Sequence, residues 1–154
     1  MPTQTHATHA IVVEAPLAQT FMFFTPAGEE LWVDGWRPTY LHPADGRTEA
    51  GMVFTTGSGS ELTIWTLVDF DREQHRSRYV RCTPGSRTGF VEVSCSALDA
   101  QRTEARVSYT LTALSPEGER TLQAFEGVAF AEMIDGWARE IERHLGTLLK
   151  AAIR

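Results

Sequence analysis

The stretch Leu122–Leu148, LQAFEGVAFAEMIDGWAREIERHLGTL, decides how the rest of the chain is read. Its apolar residues Phe125, Ala129, Met133, Trp137, Ile141, Leu145 and Leu148 recur at steps of three or four, which places them on one stripe of an α-helix. Such a stripe is stable only when it lies on another apolar surface. The segments before it read as short strands separated by turns, so the economical partner is a curved antiparallel sheet that grips the helix. A gap between the two would hold a small molecule.

The helix has a start signal at Ser115-Pro116, a capping residue followed by a first-turn proline, with Glu117 and Glu119 beside them and Gly118 as a source of delay. Unbroken to Ala152 it would be about 55 Å long at about 1.5 Å per residue. A strand of seven or eight residues reaches only about 25 Å. The helix must therefore overhang, bend or break, and Gly127 and Gly136 are the weak points, because glycine disfavours a helix interior by about 1 kcal/mol.

Working back toward the start, Gly89–Leu98 and Thr103–Leu114 form a hairpin. Centring its turn on Ala100 sets Val93 opposite Val107 and Val91 opposite Tyr109. Ala105, Val107, Tyr109, Leu111, Val91, Val93 and Cys95 then share an inward face, with Glu104, Arg106, Ser108, Thr110, Glu92 and Ser94 on the other. Arg78–Cys82 is a weaker strand joined to this hairpin through Thr83-Pro84-Gly85-Ser86. Gly51–Thr56 and Glu61–Phe70 flank the turn Gly57-Ser58-Gly59-Ser60. The second of these is apolar on both faces, with Leu62, Ile64 and Val68 on one and Trp65 and Leu67 on the other, so its orientation stays open.

Trp36–Pro43 reads as an extended segment between prolines, with a loop over 44–50 behind it. Two short helices precede it, one from Pro16 to Phe24 and one from Pro26 to Val33, joined at a proline in a V, with Glu29 and Glu30 where a helix dipole favours acids. The first strand is His6–Glu14, stopped by Pro16.

Composition sets outer limits. At 154 residues, with 42% hydrophobic and 22% charged side chains, the chain is expected to be one ordinary folded domain. Fourteen Lys and Arg against 20 Asp and Glu give a net charge of -6, with no basic stripe to follow a phosphate backbone, so nucleic acid is not an expected partner. No apolar run is long enough to span a bilayer, and Met1–His9 lacks the features of a secretion signal, so a cytoplasmic location is expected. Cys82 and Cys95 have no metal-ligand spacing and read as reduced core residues. There is no P-loop, dinucleotide fingerprint, G-x-S-x-G elbow or carboxylate and histidine cluster, so no cofactor and no metal are expected. A sheet edge or the overhanging helix offers a surface for a homodimer.

This order of elements resembles the helix-grip fold of the SRPBCC superfamily, an α+β fold. It wraps a curved antiparallel sheet of about seven strands on a long C-terminal helix, with two short helices between the first two strands. START-type lipid carriers, Bet v 1-like proteins and polyketide cyclase/dehydrase-like proteins share it. The resemblance covers nearly the whole chain and extends to the Pro16–Phe21 helix opening and the Tyr79–Ser86 hairpin. It implies a tunnel between sheet and helix, closed at one end by the two short helices. It implies no particular reaction.

Candidate site residues follow from what an apolar cavity with a few polar groups requires. The aromatics Trp36, Trp65, Tyr79, Tyr109, Phe125 and Trp137 and the flexible Met133 are candidates for its wall, against the plainer reading that they fill the core. Tyr109 and Trp137 lie on the hairpin's inward face and the helical stripe. His42, between Leu41 and Pro43, is a candidate where the fold brings the chain past the tunnel mouth. Arg81, alone in an apolar strand, would hold a carboxylate or enolate if it points inward and pair with nearby acids if it points outward. Glu126 would point into the cavity or into water. His6 and His9 point to opposite faces of a strand and do not form a metal pair.

Three functions remain open. The leading one is binding of a small, largely apolar, lipid- or polyketide-like ligand between sheet and helix. A second is a cyclase/dehydrase-like enzyme using a residue such as His42, Glu126 or Arg81. The third is a protein-interaction module like the stress-response activators of a heat-shock ATPase, with a closed core and an exposed apolar patch.

Overall fold

The computed structural model describes residues 3–154, so Met1 and Pro2 of the Met1–His9 segment lie outside the described residues. Strand β1 (Gln4–Val13) leads into helices α1 (Leu17–Phe23) and α2 (Pro26–Glu29). Six strands follow: β2 (Thr39–His42), β3 (Val53–Thr56), β4 (Thr63–Asp71), β5 (Arg76–Thr83), β6 (Arg87–Asp99) and β7 (Arg102–Ala113). The chain ends in α3 (Pro116–Leu122), α4 (Gly127–Arg143) and α5 (Leu145–Lys150). Among the described residues, the strands form one antiparallel seven-stranded sheet in the order β1-β7-β6-β5-β4-β3-β2. No helix there is long and apolar enough to cross a membrane.

The β6–β7 register has Val93 opposite Val107 and Val91 opposite Tyr109, as the hairpin reading requires. The whole inward set of that hairpin is buried. Strand β4 is settled by its neighbours. Phe54 pairs with Trp65, and Trp65 with Arg81, so Trp65, Leu67 and Arg81 turn inward. Ile64 and Val68 stay on the outer face at 40% and 46% exposure.

The terminal helix breaks rather than running on. Ser115 caps α3 by accepting a hydrogen bond from the Gly118 N–H at 3.0 Å. The α3 helix then tightens into a 3₁₀ turn over Gln123–Phe125. Glu126 is extended (φ -123°, ψ 149°), and Gly127 takes φ +50°, a left-handed conformation that glycine tolerates at little cost. Gly136, by contrast, lies inside α4, which stays regular through it. A second break falls at His144 instead. Because α4 begins only at Gly127, its buried stripe runs through Phe130, Ile134 and Ile141, with Ala129 exposed and Met133 and Trp137 at its margin.

Helix α2 is also shorter than the sequence suggests. After Glu29 the chain passes into turns, although the Val33 N–H still reaches the Glu29 carbonyl at 2.8 Å. The V between α1 and α2 is tight. Thr25 caps α2, accepting from the Gly28 N–H at 3.1 Å, and a Cβ on Gly28 would collide with the Met22 carbonyl oxygen. Helix α4 lies along β1, tied there by His9 Nε2 and Asp135 Oδ1 at 2.7 Å.

Candidate functional site

Between α4 and the strands farther from β1, the grip is not filled. A cavity of about 200 Å³ remains, floored by Phe54, Trp65, Tyr79, Arg81, Val91, Val93 and Tyr109 from β3 to β7. Trp137 of α4 lies over it. Phe24, Glu29, Val33 and Trp36, from the helix V and the turns behind it, close one end, and Thr56 borders the floor.

The wall is an aromatic box. Phe54 and Trp65 stack at 5.7 Å with planes 5° apart, Trp36 meets both edge-on at 6.0 and 5.8 Å, and Tyr79 does the same at 6.4 and 6.1 Å. Two indole N–H groups are already spent: Trp65 Nε1 donates to Thr56 Oγ1 at 2.9 Å and Trp36 Nε1 to the Pro26 carbonyl at 3.0 Å. These rings therefore offer π-faces and edges, the complement of a flat apolar guest.

A few polar groups interrupt the box. Arg81 is 9% exposed, its guanidinium carbon is 4.6 Å from the Trp65 ring centroid, and its Nε has no hydrogen-bond partner. Burial lowers its pKa, with Tyr109 acting the other way, yet a guanidinium keeps its charge in proteins. Glu29 behaves differently. It is half-buried as a residue, but desolvation pushes its carboxyl well above the usual carboxylate range, favouring the protonated form. Burial also raises the Tyr109 hydroxyl, to about 12, and the Tyr79 hydroxyl well above the ordinary tyrosine range. The Cys95 thiol, likewise pushed up to about 12, is an unreactive core group.

Six candidates from the sequence meet at this cavity: Trp36, Trp65, Tyr79, Arg81, Tyr109 and Trp137. Phe125 lies just beyond, stacked on Tyr109 at 5.7 Å and 5.9 Å from the Arg81 guanidinium. Met133 lines a separate outer groove that shares Val33 and Trp137 with the cavity. His42 and Glu126 are outside the wall. His42 is exposed at the end of β2, the edge strand, and Glu126 is exposed as the extended residue just before α4 begins at Gly127.

Glu29, Phe24, Phe54, Val33 and Thr56 belong to the wall and were not singled out by the sequence reading. Glu29 carried a usable signal. Adjacent side chains on a helix point about 100° apart, so Glu29 and Glu30 on a short helix of the V cannot both face water squarely.

A larger concavity lies elsewhere, an open groove of about 780 Å³ between residues 30–38 and the C-terminal part of α4. It is predominantly polar, and no aromatic box or orphaned charge converges in it. The enclosed cavity is the better site despite its smaller size. Val33 and Trp36 line both, so they form the partition between interior and groove.

No family model matches the chain, and no curated protein matches its sequence. Solved structures match its shape. Norcoclaurine synthase from Thalictrum flavum, in complex with dopamine and hydroxybenzaldehyde, superposes with a TM-score of 0.65 at 11% identity, over 93% of this chain and 89% of that one. The allergen Ara h 8.0201 gives 0.64 at 13% identity, over 97% and 100% of the two chains. This chain has the Bet v 1-like helix-grip fold. The Zhui aromatase/cyclase from Streptomyces sp. R1128 has the same helix-grip fold, with a TM-score of 0.54 at 18% identity over 94% and 88%. At such identities the likeness is one of fold.

Proposed function

We propose that the protein binds a small, flat, mainly apolar molecule in the cavity between β3–β7 and Trp137. One observation carries this reading: a partly enclosed space walled by aromatic faces, with Arg81, Glu29, Tyr79 and Tyr109 as its main polar groups. Its volume, about 200 Å³, is close to that of a dry cavity of about 150 Å³ that accepts benzene. Drug-sized ligands occupy about 300–1,000 Å³. A guest of one or two rings therefore fits, and a longer lipid- or polyketide-like chain would have to displace Val33 or Trp36 and extend into the open groove. The helix-grip relatives support the reading, since one of them was captured with dopamine and hydroxybenzaldehyde, both single-ring molecules.

The energetics agree with modest affinity. Burying one aromatic ring system removes about 150–250 Å² from water, a gross gain of about 4–6 kcal/mol at about 25 cal/mol per Å². Immobilisation consumes part of that. Apolar contact alone then gives millimolar binding, and the polar groups decide whether it becomes tighter. The test is a tryptophan-fluorescence titration with 2-naphthol, for which a saturable change is expected. Trp137→Ala should weaken binding more than Arg106→Ala on the exposed face; equal effects contradict the reading.

A second reading, proton transfer to a bound carbonyl compound, is favoured by Glu29. A carboxyl whose pKa desolvation raises, facing the same space as Tyr79 and Tyr109, has the character of a general acid. With acetylacetone as probe, exchange of its central protons for solvent deuterium should be about 10²-fold faster with the wild-type protein than with Glu29→Gln. Equal exchange rates exclude this role.

A further inference from the structure

Arg81 is a standing positive charge without a counter-charge. Its partner row across the sheet is Phe54, Trp65, Arg81, Gly89 and Leu111, so its immediate neighbours on the inward face are a tryptophan ring and a glycine with no side chain. It makes no ion pair among the described residues, and its buried Nε is unsatisfied. The one acid that acts on it, Glu61, is taken. Glu61 Oε1 is bonded to Arg87 Nη2 at 3.1 Å, and Arg87, 4% exposed, is a second cation acting against Arg81. Glu61 reaches Arg81 only as the weakest of its influences.

Glu29, the acid that lines the same cavity, is not among the groups acting on Arg81. Arg81 thus has a second buried guanidinium acting against it and, as its one acidic influence, a carboxylate already committed to Arg87. A buried charge with no partner costs several kcal/mol, and a guanidinium cannot relieve the cost by shedding its proton. The cost is recovered if something anionic occupies the cavity.

The geometry points to a planar apolar carboxylate as the ligand, its carboxylate paired with the Arg81 guanidinium and its apolar body in the box of Trp36, Phe54, Trp65 and Tyr79. This deepens the proposed binding function and rests on it. A carboxylate matches the fork of a guanidinium with two parallel hydrogen bonds. The Tyr109 hydroxyl, which lies close enough to Arg81 to shift its proton affinity, offers a third donor to the same anion. A phosphate dianion is a poorer fit, because one guanidinium edge and one hydroxyl leave most of its oxygens unsatisfied in an apolar box.

The test compares trans-cinnamate with trans-cinnamamide, which have the same shape and differ in charge, by calorimetry on the intact protein at neutral pH. Cinnamate should bind about ten- to a hundred-fold tighter. Arg81→Met should abolish that preference, since the unbranched methionine stem still packs on Trp65 but carries no charge. Arg81→Lys, which keeps the charge and guards against a folding defect in the methionine variant, should retain part of the preference.

Equal affinity of the two probes for the wild-type protein overturns the anion assignment and leaves the cavity reading standing. An unchanged preference in Arg81→Met overturns it as well. Binding of neither probe overturns the cavity reading, and this inference falls with it.

Discussion

The two halves of the interface between sheet and helix use the same materials to opposite ends. Over β1, Phe130, Ile134 and Ile141 of α4 join Ile11, Ala105, Val107 and Leu111 in one solidly buried cluster, and the hollow at its edge, about 180 Å³ bordered by Val12, Val13, Ile141 and Leu145, has no aromatic wall. Over β3 to β6 and Tyr109 of β7, rings replace aliphatic side chains, a helix margin carrying Trp137 replaces the helix centre, and a hollow remains. Close-packed interiors do not leave such voids by default. One half supplies stability, and the other is held open by rings that brace each other edge to face.

The contrast is broken or sharpened first by Phe130→Ala in the solid half. It should cost about 3–5 kcal/mol in urea unfolding and leave the preference for cinnamate over cinnamamide unchanged. The hollow half should respond in reverse to Trp137→Ala. There the ligand affinity falls by about tenfold, while stability changes by about 1–2 kcal/mol, because the ring is only partly buried and already borders empty space. If both variants lose stability equally and neither changes binding, the division into halves is wrong.

Inside the hollow, Glu29 and Arg81 form a second contrast. Both are desolvated, but a carboxyl can discharge by taking up a proton, whereas arginine cannot. The folded-state pKa of Glu29 is raised, so between the unfolded carboxylate value and that raised value the native state holds one more proton than the unfolded state. Stability must then fall as pH rises through this window, by at most about 1.4 kcal/mol per pH unit. Glu29→Gln removes the dependence. Chemical unfolding of the two proteins from pH 4 to pH 8 should show their stabilities diverging in favour of the glutamine variant, and parallel curves contradict a buried protonated acid. The smallest expected effect is on the outer face, where Ile64→Thr should change stability by about 0.5 kcal/mol or less and leave cinnamate affinity untouched.

Periodicity made the frame legible. The alternation in β6 and β7 determined their register and inward face because one side is apolar and the other polar, and a slip of one residue would invert every side chain. Strand β4 resisted the same logic, since Ile64 and Val68 are as apolar as Trp65 and Leu67. Only pairing with Phe54 and Arg81 decides which set is buried. The terminal helix misled in phase for a local reason. The chain is extended at Glu126 and left-handed at Gly127, so the count restarts there and the buried stripe moves from Ala129 to Phe130 and Ile134. Arg81 was visible as a charge alone in an apolar strand. Glu29 was hinted at only by its place beside Glu30, because which of the two turns inward depends on how the α1–α2 V leans over the sheet, a non-local matter that no short pattern in the chain encodes.

The most direct test of the account is a methyl-resolved NMR titration of the protein with trans-cinnamate. The account predicts saturable shifts concentrated at the methyls of Val33, Val91 and Val93, which line the hollow, with those of Ile11, Val107, Ile134 and Ile141 in the solid half nearly still. Shifts confined to the outer groove or spread evenly over both halves, or none at saturating ligand, would contradict it.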